Sequence, residues 1–298
     1  MQKISLLLAS TLTAFGLSAG VSVGSLETEG LVNPLNVENP APRLSWIITS
    51  DDRDVMQNAY HVLVASTPEL LAAGKGDIWD SGKVESDVSI WVPFGGGRIA
   101  DNTRCYWKVK VYTTKGESKW SAPAEWGMGL RGEGHWGGQW IGWEGPFEWD
   151  IEDSHSRMSS RYLRKEFNTE KKQIKRATAH ISGLGMYEFF INGKRVGEDV
   201  LAPAPTDYRR TVLYNSYDVT DLLNGDGEAN AVGVTLGNGR FYTMRQNYKP
   251  YKIPTFGYPK MRMNLIIEYT DGTKQRVNSD NKWTLTANGP IRSNNEYD

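Results

Sequence analysis

The sequence has almost no cysteine. Cys105 is the single cysteine in 298 residues, so an intrachain disulfide is excluded and the chain is not a disulfide-stabilised scaffold. Cys105 lies in the run Thr103–Val109, where apolar residues alternate with polar ones as in a half-buried strand. We therefore expect a buried structural thiol, with stability supplied by hydrophobic cores.

The sequence also lacks a charge imbalance, clustered histidines and several enzyme motifs. With 34 basic and 35 acidic residues, it has no basic stripe suited to nucleic acid. Its four histidines are scattered without a zinc spacing. No G-x-S-x-G elbow occurs, and Gly237-Asn238-Gly239 is too short for a phosphate loop, so it predicts a turn with positive φ. Nucleic-acid, zinc, nucleotide and serine-hydrolase chemistry are therefore disfavoured.

Helical periodicity is nearly missing, whereas turn residues and aromatic residues are frequent. The chain has 31 Gly, 13 Pro, 11 Trp and 14 Tyr, which is typical of an all-β protein with many turns. Its length predicts roughly two domains. Most of the aromatic rings are expected in sandwich cores, and sugar stacking is the alternative for exposed ones.

The first residues have the pattern of a secretory signal peptide, predicted over residues 1–20. Lys3 supplies the positive charge, Ile4–Leu17 is apolar apart from small residues, and Ser18 and Gly20 offer small residues for cleavage. The apolar stretch is short for a membrane span. We therefore expect export to a bacterial periplasm or to the medium.

Residues 25–131 are predicted to form an immunoglobulin-like or fibronectin type III sandwich. Strand patterns recur with turns between them. Within Tyr106–Thr113, Trp107, Val109 and Val111 are predicted on one face and lysines on the other. Asp80 is expected to be a turn residue, and Ser118–Ser121 is expected to close a hairpin.

A linker rich in Trp and Gly is predicted over residues 132–150. Trp136, Trp140 and Trp143 lie there among glycines. Packing at a domain interface is the favoured use of these rings, and a platform for a sugar is the alternative.

Residues 151–298 are predicted to form a second, jelly-roll-type β-sandwich. Tyr187–Ile191 suits a strand, and Asn192-Gly193 follows as a hairpin turn. Pro203 and Pro205 exclude Leu201–Asp207 from a central strand. Near the end, Asp271-Gly272 is expected to turn the long strand that begins at Tyr258.

Four blocks in this region resemble a known family. They are I-N-G-K-R-V-G, L-A-P-x-x-T-D-Y, Y-x-S-Y-D-V-T-D-L-L and L-G-N-G-R-F-Y. In this order they resemble the N-terminal β-sandwich of bacterial α-L-rhamnosidases of glycoside hydrolase family 78. P-R-L-S-W, W-D-S-G-K-V and C-Y-W-K-V-K-V-Y are similarly typical of the fibronectin-like domain that begins many of these enzymes.

The resemblance implies that the chain is the N-terminal part of an inverting hydrolase of terminal α-L-rhamnosides. In the family, the catalytic carboxylates lie on an (α/α)6 barrel, and no such pattern occurs in this sequence. No residue here is therefore assigned a catalytic role. Two alternatives remain, which are a free-standing carbohydrate-binding protein and a purely structural pair of β-domains.

The resemblance also implies a candidate site for L-rhamnose-containing glycans, held with calcium as in some sandwiches of this kind. Oxygen ligands suit Ca²⁺, and the expected metal ligands are Asn192 and Asn238, with a turn role for each asparagine as the alternative. The weaker candidates are Asp199 and Asp207 for the ion, and Tyr208, Tyr242, Tyr214 and Phe241 as an aromatic platform.

Overall fold

The computed structural model describes residues 20–150, 158–242, 256–293 and 296–297. The chain divides into two compact units. Of the described residues, the first unit comprises 20–34, 39–98 and 104–126, and the second comprises 35–38, 99–103 and those from 127 onward. No helix among the described residues is long and apolar enough to cross a membrane.

The first unit contains two antiparallel sheets and one short helix. Its elements are β1 (Ser22–Thr28), β2 (Arg43–Thr49), β3 (Gln57–Ala65), α1 (Pro68–Ala72), β4 (Trp79–Asp80), β5 (Val84–Glu85), β6 (Val92–Pro93), β7 (Arg104–Thr113), β8 (Gly116–Glu117) and β9 (Ala124–Gly127). A three-stranded sheet has the order β1-β2-β6. A six-stranded sheet has the order β4-β3-β7-β8, with β5 beside β3 and β9 beside β7.

Alternation along β7 builds much of the core of this unit. Cys105, Trp107, Val109 and Val111 are fully buried, whereas Lys108 lies on the other face and is partly exposed. The predicted alternation and the buried thiol are therefore confirmed. The expected Asx turn is also present, because the Asp80 carboxylate accepts from the Gly82 amide at 2.9 Å.

One hairpin of this unit closes earlier than expected. The turn lies between Thr113 and Gly116, where the Thr113 hydroxyl accepts from the Lys115 amide at 3.1 Å. Ser118 and Ser121 instead place their hydroxyl oxygens on the amides of the neighbouring strand β7. The prediction for Ser118–Ser121 was wrong because Gly116, at φ 114°, allows a tighter turn upstream.

The second unit is built from two five-stranded antiparallel sheets and one two-stranded antiparallel sheet formed by its last two strands. Its strands are β10 (Ile141–Gly142), β11 (Arg161–Asn168), β12 (Ile174–Leu184), β13 (Met186–Ile191), β14 (Lys194–Arg195), β15 (Asn215–Asp218), β16 (Ala229–Gly237), β17 (Lys260–Tyr269), β18 (Lys274–Asn278), β19 (Thr284–Thr286), β20 (Ile291–Ser293) and β21 (Glu296–Tyr297). Single 3₁₀ turns occupy Glu133–His135 and Thr220–Leu222.

The two sheets enclose one core. One sheet has the order β10-β17-β12-β15 with β18 beside β17, and the other has the order β14-β13-β16-β11-β19. Alternate residues of the central strands are buried between them, including Ala179, Ile181, Phe189, Val232, Val234, Leu236, Met263 and Leu265. The predicted all-β architecture of two successive sandwiches is confirmed.

The Asn192-Gly193 turn joins β13 to β14 as expected. Ile191 pairs with Lys194, and the two turn residues have φ of 50° and 78°. A two-residue turn with positive φ at both positions matches the twist of the flanking strands. Asp271-Gly272 likewise turns β17 into β18, with Gly272 at φ 85°.

A buried polar layer covers the outer face of β12 and β17. Thr178, His180, Ser182 and Asn264 point away from the core and are at most 5% exposed. Loops of the second unit supply their partners. Asn264 Oδ1, for example, accepts from the Gly138 amide at 2.7 Å. The hydrogen bonds of His180, Ser182 and Asn264 Oδ1 fix the loops that surround the candidate site.

Candidate functional site

The second unit has an open cleft at one end of this polar layer. Its volume is about 620 Å³, within the range of ligand pockets. The described lining residues, all of the second unit, are Asn36, Glu38, Leu130, Gly132, Glu133, Trp136, Trp140, Ser182, Leu184, Tyr208, Arg209, Arg210, Thr211, Val212, Leu213, Tyr214, Phe241, Phe256 and Arg262.

Two neighbouring strands of one sheet, β12 and β17, provide the floor of the cleft. Ser182 on β12 pairs directly with Arg262 on β17. The Ser182 hydroxyl donates to the Leu213 carbonyl at 2.7 Å and so fixes the adjoining loop. Arg262 donates to the Gly138 carbonyl at 2.7 Å and forms an ion pair with Glu133. The strand register therefore places the Arg262 guanidinium in the cleft, and its bonds to Gly138 and Glu133 fix its position.

One wall is formed by Trp136 and Tyr214. Their rings meet edge to face with centroids 5.2 Å apart, and the Arg262 guanidinium lies 5.1 Å from the Trp136 ring centroid. The Tyr214 hydroxyl accepts from the Leu130 amide at 2.7 Å. Burial raises the pKa of Tyr214, so its phenol is neutral and fixed.

Gly129 makes this arrangement possible. A Cβ atom there would lie 2.1 Å from Asn36 Oδ1 and 2.5 Å from the Tyr214 hydroxyl. Any side chain at Gly129 would therefore displace Tyr214 from the wall.

The second wall is a cluster of three aromatic rings. Tyr208 meets Phe241 and Phe256 edge to face, with centroids 5.3 Å and 5.5 Å away. Phe241 and Phe256 stack at 5.9 Å. Burial raises the pKa of Tyr208. Such edge-to-face packing holds rings rigidly at the edge of a pocket.

The cleft contains both acidic and basic side chains. Glu38 and Glu133 are the acidic residues among the described lining residues, and Glu133 is paired with Arg262. Arg209 is paired with Asp207 at 2.9 Å, and this contact lowers the pKa of Asp207. The cleft thus combines aromatic surfaces with planar charged groups.

The structure brings only part of the predicted site together. Tyr208 and the platform candidates Tyr214 and Phe241 line the cleft, and Asp207 adjoins it through Arg209. Tyr242 is buried and stacks on Tyr258 at 5.8 Å. Among the described residues, Tyr242 therefore serves packing.

Asn192 and Asn238 lie at opposite ends of β16. Asn192 follows the pairing of Ile191 with Val232, whereas Asn238 follows Gly237, which pairs with Met186. The five residue-to-residue steps of extended strand from Val232 to Gly237 span roughly 17 Å. The two asparagines therefore cannot ligate one ion.

Each asparagine side chain instead bonds to the protein. The Asn192 amide donates to the Leu222 carbonyl at 2.9 Å and to Asn230 Oδ1 at 2.8 Å. Its Oδ1 accepts from the Ala231 amide at 2.9 Å. Asn238, which is 3% exposed, donates to the Met158 carbonyl at 2.7 Å. A turn role accounts for Asn192 fully.

Asp199 belongs to a separate tyrosine network. Its carboxylate accepts from the Tyr217 hydroxyl at 2.8 Å. Burial, together with this carboxylate, raises the pKa of Tyr217 to about 12. Over the described ranges, no three His, Cys, Asp or Glu residues are grouped as a metal site would require.

Sequence reasoning missed Arg262, Glu38, Glu133 and Arg210. Arg262 reads as an ordinary outward residue of a strand, and Glu38 lies more than ninety positions before Trp136. For Trp136 the sequence did give a signal, because a sugar platform was the alternative use predicted for the tryptophans of its segment. Only the strand register, with Ser182 opposite Arg262, brings these residues into one cleft.

Two family models match the chain. Residues 23–132 match the Rha78A-like, N-terminal immunoglobulin domain. Residues 172–298 match the alpha-L-rhamnosidase N-terminal domain. Together the two matches cover most of both units.

Curated relatives of this chain are named alpha-L-rhamnosidase. An alpha-L-rhamnosidase of Formosa agariphila is 38% identical over 288 residues, covering 89% of this chain and 29% of that protein. One of Alteromonas sp. is 32% identical over 276 residues, covering 91% of this chain and 29% of that protein. The chain thus spans less than a third of these relatives.

Solved structures agree with the fold. The alpha-L-rhamnosidase from Dictyoglumus thermophilum superposes with a TM-score of 0.79 and 35% identity, over 92% of this chain and 30% of that one. The enzyme from Aspergillus terreus gives a TM-score of 0.79 at 28% identity, over 92% and 30%. The chain therefore carries the two N-terminal β-domains of the α-L-rhamnosidases.

Proposed function

We propose that this chain is the non-catalytic N-terminal region of an exported α-L-rhamnosidase. The whole polypeptide hydrolyses terminal α-L-rhamnosides of glycans or glycosides with inversion, on a catalytic barrel outside these residues. The observation that carries the proposal is the Formosa agariphila relative, 38% identical over 89% of this chain, of which the chain spans 29%.

The chemistry of the described residues supports a catalytic site elsewhere. Inverting hydrolysis needs two carboxyl groups about 6.5–9.5 Å apart, one as acid and one as base for water. In the cleft, Glu133 is paired with Arg262, and the nearby Asp207 is paired with Arg209. The hydrogen bond from Arg209 lowers the pKa of Asp207, which makes Asp207 a poor proton donor because the cation stabilises its charged form.

The test compares residues 21–298 with the polypeptide encoded by the complete gene, using 4-nitrophenyl α-L-rhamnopyranoside. We expect release of nitrophenol by the complete polypeptide and none above background by the β-domains alone. Turnover by residues 21–298 would contradict the non-catalytic assignment. A reading frame that stops at Asp298 would instead favour a free-standing carbohydrate-binding or structural protein.

Export is part of the proposal and rests on the signal-like sequence around Lys3 and Ile4–Leu17. Mass spectrometry of the protein from the native bacterium is expected to find a mature N-terminus near residue 21. A retained Met1 in the mature protein would contradict export by this route.

We further propose that the cleft binds a pyranose of the rhamnoside. The aromatic rings of Trp136 and Tyr208 offer apolar surfaces, and Arg262 offers hydrogen-bond donors to hydroxyl groups. A 6-deoxy sugar such as L-rhamnose also presents a methyl group suited to the Phe241 side of the cleft. Binding here requires no contribution from Asn192 or Asn238.

Calorimetric titration of residues 21–298 with L-rhamnose tests this second proposal. We expect saturable heat that is the same with calcium and with chelator, and a loss of at least tenfold in affinity on Trp136→Ala. Trp143→Ala is the matched control, because Trp143 is a 53% exposed tryptophan that is not among the described lining residues of the cleft. Heat that requires calcium, or equal loss in both variants, would contradict binding in the cleft.

A further inference from the structure

The two sheets of the first unit differ in their outer faces. The six-stranded sheet presents charged and polar groups, such as the His61–Asp80 and Lys110–Glu117 pairs. The three-stranded sheet β1-β2-β6 presents apolar groups at and beside its outer face. A cluster of exposed apolar side chains on one face of a domain is typical of a surface that is covered in the working protein.

We define the apolar patch by six exposed side chains of the first unit. They are Leu31 at 59%, Val32 at 70%, Ile47 at 56%, Val88 at 50%, Ile90 at 62% and Trp91 at 44% relative exposure. Together they expose on the order of 600 Å², the upper end for the largest patch on a monomeric protein.

Hydrogen bonds connect the parts of the apolar patch. Ile47 lies on β2 two residues beyond Ser45, whose hydroxyl accepts from the Trp91 amide at 3.0 Å. The neighbouring Trp46 amide donates to the Ser89 carbonyl at 2.9 Å. These bonds hold the segment that carries Val88, Ile90 and Trp91 against β2.

Trp91 is held in place on the surface. The Arg43 guanidinium lies 4.2 Å from its ring centroid, and Arg43 is itself paired with Glu29 at 2.7 Å. A Cβ atom on Gly30 would lie 3.2 Å from the same ring, so the ring rests on the backbone next to Leu31. A preformed patch loses little entropy when it is covered.

We propose that the apolar patch docks the catalytic part of the same polypeptide, C-terminal to Asp298. This proposal rests on the function proposed above. The patch is smaller than the roughly 800 Å² per partner of a stable complex between separate proteins. Interfaces between domains of one chain are smaller, and covalent linkage raises the effective concentration of the partner. The match covers 29% of the Formosa agariphila relative, so about 71% of that protein lies outside the matched part, which is ample for such a domain.

Thiol labelling tests the docking. Cys105 is fully buried, so Ile47→Cys or Ile90→Cys introduces the one exposed thiol of residues 21–298, and peptide mass spectrometry follows labelling at that position. Glu117→Cys is the matched control, because the Glu117 side chain on β8 is 57% exposed on the other sheet. Each variant is made in residues 21–298 and in the complete polypeptide, and labelling rates are measured with a maleimide.

We expect Ile47→Cys and Ile90→Cys to label at least tenfold more slowly in the complete polypeptide, with Glu117→Cys unchanged. Equal rates at both patch positions in an active enzyme would overturn the docking and leave the proposed function intact. Residues 21–298 alone could instead label more slowly at the patch positions as the protein concentration rises. That result would show that the patch binds a second copy of the chain, and it would also overturn the docking. Labelling of the buried Cys105 in one patch variant would show that this variant is unfolded. The labelling rate of the other patch variant then tests the docking.

Discussion

At the scale of single residues, His180 has a pKa well below its ordinary value because it is buried. Its imidazole is fully buried in the polar layer. Nε2 lies 3.1 Å from Asn102 Oδ1, and Nδ1 lies 2.7 Å from the Ser216 hydroxyl. Because the amide oxygen can only accept, Nε2 donates, and in the neutral ring Nδ1 accepts from the Ser216 hydroxyl. Burial, which lowers the pKa of His180, favours this neutral tautomer.

Acid is expected to destabilise the second unit through His180. Burial lowers its pKa from 6.5 to about 4, although Asp101 opposes the shift. The unfolded chain therefore binds a proton that the folded chain does not, and stability falls as the pH decreases from about 6.5 to about 4. The full effect is about 3 kcal/mol. Urea denaturation across this range measures it.

The control for this prediction is His180→Gln, which keeps a donor and an acceptor but does not titrate. Its unfolding free energy is expected to lose most of the slope between pH 6.5 and 5, where carboxyl groups still contribute little. An unchanged slope would contradict the assignment. Should the variant fail to fold, the imidazole pKa of His180 measured by NMR in the original protein decides, and a value near 6.5 contradicts it.

At the scale of elements, the β13–β14 hairpin connects local backbone preference to the packing of a loop. Asn192 is expected to matter for stability and not for sugar binding. Asn192→Ala removes three hydrogen bonds and places alanine at φ 50°. At about 1 kcal/mol for each hydrogen bond and for the backbone strain, the loss is about 2–4 kcal/mol.

Asn192→Gly separates the two causes. Glycine adopts positive φ without strain, so this variant is expected to be about 1 kcal/mol more stable than Asn192→Ala. Urea denaturation gives both values, and calorimetry with L-rhamnose is expected to be unchanged in folded samples. Loss of sugar binding without loss of stability would restore Asn192 as a ligand.

Local features of the fold were predictable from the sequence because their causes are local. Alternation placed Trp107 in the core, and Asn192-Gly193 fixed its hairpin through positive φ. The cleft was harder to predict, because Ser182 and Arg262 meet only through the register of β12 with β17. The stacking of Tyr242 on Tyr258 was hard to predict for a related reason, since no local pattern indicates that contact.

At the scale of the whole molecule, the two proposed functions, sugar binding and docking of the catalytic part, belong to different units. The second unit carries the cleft, with its rigid rings and held arginine. The first unit carries the apolar patch on one sheet and a charged surface on the other. In the proposed enzyme, the first supports the catalytic part and the second contacts the sugar.

The most direct test of the account is proton NMR of the complete polypeptide acting on an α-L-rhamnopyranoside. The account predicts that β-L-rhamnose appears first and that the α-anomer follows by mutarotation, because inversion converts the α-linkage into a β-product. Early appearance of α-L-rhamnose would contradict inversion. Absence of any released rhamnose would contradict the proposal that these two β-domains belong to a rhamnoside hydrolase.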